Sequence, residues 1–389
     1  RIKGRFPISA CRGMLRRLRQ VVEAAFLDIW HLLWDRGEYY MEEKQFRDKI
    51  YWLTFLFSLL VVWVHSFNGE LFMGTPEAAF KVAGIERILG DGLGQIAVPG
   101  FFMVSSYLFF RGFCWEKLIP KWRSRLRSLV LPYLLWNFLY YMGYVAATRL
   151  PGLSGVVGKS PIPFNGPRLF DALVFYSYNP VFWYLFQLII LVALAPLVYT
   201  VMRGNVTGAA ALGIVAFGLW KNWVMPLLNL DALFYFCAAA WVSLHRDTWG
   251  RGIEESFGAG KNMAAGAILL LAMGLLLYLG RIGGLLWERP LCTVCWRLWG
   301  VCGAVLAVKA ADLPAAREWM KHNFFLYAIH FAWVRLINKA AAAAFPGSAV
   351  IALSVFILMP ALMTAVSALI GGIMRRFVPN VYYMLSGGR

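Results

Sequence analysis

The chain has 389 residues, 60% of them hydrophobic and only 15% charged, with a mean hydropathy of +0.61. Charged residues make up about a quarter of an ordinary soluble domain, so this composition excludes one and reads as an all-α integral membrane protein. The formal net charge of +18 is carried by basic residues lying between apolar runs, as expected of loops held on the cytoplasmic side, and this argues against a nucleic-acid partner.

Residues 1–48 are expected to form a basic amphipathic segment. Arg5, Arg12, Arg16, Arg17 and Arg19 lead into Val21–Trp34, in and beside which Glu23, Asp28, His31 and Asp35 share one arc of a helix. That pattern suits a helix lying on the membrane surface. It lacks the uninterrupted apolar core and small-residue cleavage site of a secretory signal. Met41 offers an alternative start, so the preceding residues are expected to be dispensable, and residues 49–389 form the transmembrane domain.

The stretch Ile50–Phe67, IYWLTFLFSLLVVWVHSF, is an apolar run of spanning length that ends on a histidine. An ionisable side chain inside such a run is costly and marks a functional site by default, which makes His65 the first candidate. Scanning for runs of about 17–25 residues gives ten spans, at 50–67, 95–113, 129–149, 181–202, 207–225, 230–245, 262–280, 293–310, 323–343 and 348–374. The Gly- and Pro-rich connections 69–94 and 152–171 have room for short interfacial helices.

With the N-terminus inside, the basic stretches up to Lys49, Arg111–Arg127, Arg203, Arg246–Lys261, Lys309–Lys321 and Arg375–Arg376 all fall on one side, which makes both termini cytoplasmic. Lys221, Arg281, Arg289 and Lys339 fall on the other side. Counting about 1.5 Å per residue, His65 lies near the outer end of the first span and His330 near the middle of the ninth. Of the six cysteines, Cys292 and Cys295 form a CxxC that opens a membrane segment. No second Cys or His pair stands at zinc-like spacing, so no metal is predicted, whereas a disulfide there stays open.

Two further stretches carry chemistry-bearing residues. In Val98–Phe110, VPGFFMVSSYLFF, the small residues Ser105 and Ser106 permit close helix approach. In Lys121–Trp136, KWRSRLRSLVLPYLLW, the basic cluster is suited to an anionic ligand at the cytoplasmic mouth, and it also satisfies the positive-inside rule without one.

Taken in order, LLVVWVHSFN, GFFMVSSYLFF, RLRSLVLPYLLWN, VFWYLFQLIIL, FFLYAIH and the terminal MLSGGR resemble the motifs of the membrane-bound acyltransferase family 3, over about residues 45–389. The resemblance implies a bundle of about ten transmembrane helices in a cell membrane of prokaryotic cytoplasmic type. It also implies transfer of an acyl group, most often acetyl, from cytoplasmic acyl-CoA to a hydroxyl of an extracytoplasmic glycan or lipid-linked sugar. Under it, His65 is the general base and His330 orients the thioester, donates to the developing oxyanion, or simply bonds a neighbouring helix. Arg123, Arg125 and Arg127 hold the CoA phosphates, and Ser105, Ser106 and Asn137 are candidate cavity groups; Glu70 is placed to steady a sugar or His65. Acyl-CoA is the donor substrate, with no metal.

Four places depart from the family pattern, one of them the Arg-x-x-Arg pair before PYLLW, which appears here as Arg125 and Ser128 with Arg127 beside it. Thr54 stands where an arginine is usual, Phe186 and Gln187 replace an Arg-Asp pair, and Ser106 replaces a glycine. A transporter or flippase on the same bundle, or a non-catalytic binding subunit, is the competing reading, since broken helices and intramembrane polar groups also mark transport paths.

Overall fold

Each of the ten apolar runs is built around a helix in a computed structural model of the chain, which describes residues 43–157, 159–246, 264–274 and 290–388. The surface-lying helix expected at 21–34, Cys11, and the basic residues Arg281 and Arg289 lie outside the described residues, as does most of 246–261. No strand occurs among the described residues.

The first helix, α1 (Glu43–Val64), begins seven residues before the predicted apolar run. It continues through Arg47 and Lys49 because long basic side chains are good helix formers. Its hydroxyls are hidden against its own backbone, with Thr54 Oγ1 donating to Ile50 O (2.8 Å) and Ser58 Oγ to Thr54 O (2.9 Å). The helix closes with a tightened turn, His65 N–H bonding Val62 O (3.1 Å) and Ser66 N–H bonding Trp63 O (3.0 Å). The connection 69–94 does contain short helices, α2 (Gly69–Met73) and α3 (Pro76–Glu86), followed by a π-helical turn at Arg87–Gly92.

Helix α4 (Ala97–Phe110) packs on α1 where Gly100 meets the ring of Phe57, itself fully buried. The basic stretch folds as α5 (Leu118–Arg125), then a π-helical turn at Leu126–Val130, then α6 (Leu131–Ala147), which run on as one helical stretch whose regular hydrogen bonding is interrupted next to Pro132, a residue with no N–H to give. Next come α7 (Leu153–Val157), α8 (Gly166–Phe175), α9 (Trp183–Ala193), α10 (Ala195–Met202), α11 (Asn205–Trp220) and α12 (Leu230–Leu244). The chain then passes through α13 (Ala264–Gly274), α14 (Pro290–Ala310), α15 (Glu318–Lys321), α16 (Asn323–Ala344), α17 (Ala349–Phe377) and α18 (Pro379–Leu385). Helices α4, α16 and α17 surround α1, and α12 backs α4.

Among the described residues five helical stretches are long and apolar enough to cross a membrane: Glu43–Met73, Val82–Phe110, Trp115–Ala147, Pro290–Ala310 and Ala349–Phe377. Two bent pairs, α8 with Pro180–Ala193 (49°) and α10 with α11 (119°), bring the number to seven when each is one span. Pro180 stands in the first turn after the 49° break, and the 119° break falls at Arg203–Gly204, between α10 and α11. Helix α16 is not among the five because it carries Asn323, His330, Arg335, Asn338 and Lys339. Cys292 and Cys295 sit one turn apart on α14, and the five described cysteines are free.

Candidate active site

His65 and His330 come together. Their ring centroids are 5.3 Å apart at a tilt of 41°, and Phe331 lies edge-on to His65 at 5.7 Å. The depth count, which sets His330 at mid-membrane and His65 near the outer end, is corrected here. Residues 311–321 run alongside the lower part of α1: Trp52 Nε1 donates to Pro314 O (2.8 Å), the Ala316 N–H donates to Asp48 Oδ1 (3.2 Å), and the Phe55 and Trp319 rings meet at 4.9 Å. Helix α16 therefore starts level with the middle of α1. A rise of about 1.5 Å per residue then carries His330 to the level of His65.

His330 is completely buried. Its Nδ1 lies 2.5 Å from Tyr327 O, and a carbonyl only accepts, so Nδ1 carries the proton and Nε2 presents a bare lone pair. That Nε2 is buried without a hydrogen-bond partner. In this tautomer the neutral ring has no N–H left to offer an oxyanion. Donation to an oxyanion is the role this tautomer disfavours, and the hydrogen bond His330 makes is to its own helix, not to a neighbouring one.

A cavity of about 530 Å³ opens on the same side of the bundle as the basic stretches. Glu43, Arg47, Arg111 and Arg125 stand at its mouth; Thr54, Ser58, Phe101 and Ser105 line its length; Tyr184 and Tyr327 close its far end. Along α1 the lining runs from Glu43 to Ser58, about 22 Å at about 1.5 Å per residue. Arg111 is held bidentately by Glu43 (3.0 and 2.9 Å). The two histidines do not line the cavity; the ring of Tyr327, which does, is 5.7 Å from that of His330. The Tyr327 hydroxyl donates to Val181 O, and its ring stacks on Phe182 at 5.6 Å.

The predicted arginines divide. Arg123 and Arg127 line a second, open groove of about 800 Å³ with Lys121, Tyr383 and the terminal Gly387–Gly388, whereas Arg125 and Ser128 line both groove and cavity. Lys121 is fixed there by donating to Phe109 O. Ser105 reaches the cavity and shares a hydrogen bond with the Tyr184 hydroxyl (3.4 Å). Ser106 points the other way, donating to Phe236 O (2.6 Å) on α12, and lines neither space. Asn137 is buried in the core, and Glu70 is exposed on α2.

The departures from the family pattern acquire local explanations. Thr54 is a cavity wall residue, and Arg47, two turns earlier on the same face, supplies a guanidinium nearer the mouth. Gln187 is a clamp: its Nε2 donates to Leu227 O (3.0 Å) and its Oε1 accepts the Asn229 N–H (2.8 Å), tying α9 to the start of α12. Phe186 packs on Tyr176 at 5.5 Å. One residue beside the site escaped the sequence reading, Glu86, which is buried at the end of α3.

A helical membrane bundle with a cavity leading toward paired histidines fits a membrane-embedded transferase. The family model described as an acyltransferase domain matches residues 49–372. The chain belongs to acyltransferase family 3, the membrane O-acyltransferases, and is an acyltransferase for groups other than amino-acyl groups. No curated protein and no solved structure matches the chain.

Proposed function

We propose that the protein moves an acyl group, acetyl in the simplest case, from cytoplasmic acyl-CoA to a hydroxyl of an extracytoplasmic glycan or related envelope molecule in a prokaryotic cytoplasmic membrane. Ten membrane crossings with both termini inside are the topology this reading adopts. The observation that carries it is the cavity, which joins a basic mouth at Arg125 to Tyr327, whose ring is 5.7 Å from that of His330.

The donor's phosphates sit in the groove of Arg123, Arg125 and Arg127, where charge-assisted hydrogen bonds are strong, and its pantetheine arm runs up the cavity. The acyl end stops at Tyr184 and Tyr327. His65 accepts the acceptor's hydroxyl proton as the oxygen attacks the thioester carbonyl. Collapse of the tetrahedral adduct breaks the C–S bond, and the proton held by His65 passes to the departing thiolate, which leaves as CoA and returns His65 to its neutral form. Such a base contributes about 10²–10⁴-fold. The bare Nε2 of His330 is placed to accept an N–H from His65 once the two rings face each other, which fixes the His65 tautomer. No metal enters the scheme.

The test is turnover of labelled acetyl-CoA by the purified protein in lipid, with and without crude envelope glycan, comparing wild type with His65→Ala. Turnover lost in the variant, with donor binding retained, is the expected result. Equal turnover in the two would remove His65 from the chemistry.

A further inference from the structure

Glu86 is a carboxylate held at 3% exposure beside a membrane-embedded turn, and the scheme above makes no use of it. Its Oε1 accepts two backbone N–H groups, from Asn68 (2.7 Å) and Gly69 (3.1 Å). These belong to the turn that starts at His65 and leads into α2. Burying a carboxylate is costly unless its oxygens are engaged, so this one is retained against a cost, and what it holds is the backbone three and four residues past the histidine.

The same turn is gripped from two other helices. Asn68 Nδ2 donates to Asn338 Oδ1 (3.2 Å) on α16 and to Ala352 O (3.1 Å) on α17. Asn338 Nδ2 in turn donates to Ser66 O (3.1 Å). Asn338 lies on the helix that carries His330, two turns further on. One polar cluster thus ties the segment bearing His65 to the helix bearing His330. Gly69 makes room for it: a Cβ there would stand 3.0 Å from Glu86 Oε2.

We infer that Glu86 is a positioning residue for His65, its carboxylate oxygen fixing the 65–69 turn so that the imidazole holds its place against His330. This rests on the reading of His65 as the base. Misplacing a catalytic group by about 1 Å costs about 10²-fold. Because the contacts use one acceptor oxygen and two N–H donors, an amide oxygen serves as well as a carboxylate.

The experiment compares wild type, Glu86→Ala, Glu86→Gln, Gly69→Ala and His65→Ala in lipid nanodiscs by two readouts. The first is acetyl-CoA turnover, with kcat expressed per donor-binding molecule. The second is the rate at which diethylpyrocarbonate modifies His65, mapped by mass spectrometry with His245 as internal reference; it requires no activity. Expected are a kcat loss of about 10²-fold in Glu86→Ala at unchanged donor KM, recovery to within a few-fold in Glu86→Gln, and a His65 modification rate changed in Glu86→Ala but not in Glu86→Gln, with His245 unaffected. Gly69→Ala, whose Cβ would crowd Oε2 (3.0 Å) and not the Oε1 that accepts the two N–H groups, is expected to move both readouts less than Glu86→Ala, and Glu86→Gln decides the matter if Glu86→Ala does not fold. Unchanged His65 reactivity in folded Glu86→Ala would overturn the inference. So would a Glu86→Gln variant as impaired as Glu86→Ala. Full activity in His65→Ala would instead bring down the base assignment, leaving the reactivity readout to judge the positioning role by itself.

Discussion

Tyr327 and His330 lie one turn apart on α16, and the carbonyl of the first holds Nδ1 of the second at 2.5 Å while its ring closes the cavity. The wall at the far end of the cavity and the orientation of the buried histidine are therefore set by the same turn of helix. Movement of Tyr327 is movement of His330. This coupling is why the cavity can stop short of the histidines and still be part of one site.

The paired rings make a prediction about additivity. If His65 and His330 act as a unit, each alanine variant loses about 10²–10⁴-fold in kcat, and the double variant is no slower than the worse single one, since groups acting together are grossly non-additive. Single-turnover measurements on the four proteins check this. Losses that multiply in the double variant would show two independent roles.

Arg125 is the basic residue common to groove and cavity. A charge-assisted hydrogen bond contributes about 1.5–3 kcal/mol, so Arg125→Ala is expected to weaken donor binding about 10- to 150-fold. Arg123→Ala, which touches only the groove, should do less. Calorimetric titration with acetyl-CoA at two salt concentrations distinguishes them. Equal weakening would move the phosphates out along the groove, and no change in either variant would remove them from it.

Much of this arrangement can be read in the chain before any coordinates. Among the described residues each of the ten apolar runs contains a helix, because their length and composition leave the backbone no other way to satisfy its hydrogen bonds in lipid. His65 stands out because an ionisable group is rare in such a run. Its pairing with His330 does not stand out, because a depth count from one surface sets the two at different levels, and nothing local reveals that 311–321 climbs beside α1 before α16 begins. Glu86 is hidden for another reason. A carboxylate in a Gly-rich connection reads as solvated, and only the fold shows that this connection is tucked under α16 and α17. Arg125 cannot be singled out from Arg123 and Arg127 by sequence, since the π-helical turn at Leu126–Val130 shifts the register that decides which of them faces the cavity.

Close packing of α1 on α4 yields a stability prediction. A Cβ on Gly100 would fall 2.3 Å from Cε2 and Cζ of Phe57, whose ring is fully buried and set edge-on to Phe101 at 5.7 Å. The ring has nowhere to go, and overpacking of this kind costs about 1–3 kcal/mol. Gly100→Ala should therefore unfold at a lower temperature in lipid than wild type. Gly143→Ala, where a Cβ meets nothing within 4 Å, serves as the control. Matching transitions for both variants would mean that α1 and α4 sit further apart than described.

The far end of the cavity predicts which acyl groups are accepted. Tyr184 is buried there, bonded to Ser105 (3.4 Å) and packed against Phe102 at 4.8 Å and Tyr327 at 6.0 Å, so a thioester drawn up to this wall has room for only a short chain. Tyr184→Ala removes the wall without touching either histidine. Each methylene newly buried in the space is worth about 0.8 kcal/mol. Butyryl carries two more than acetyl, or about 1.6 kcal/mol, a little over tenfold in the ratio of kcat/KM values. Competition between acetyl-CoA and butyryl-CoA in the variant should therefore shift toward butyryl by about that factor, while Tyr184→Phe, which keeps the ring, should leave the preference in place. An unchanged ratio in Tyr184→Ala would mean that the thioester does not lie at this end of the cavity, and the path from Arg125 to His65 would have to be drawn elsewhere.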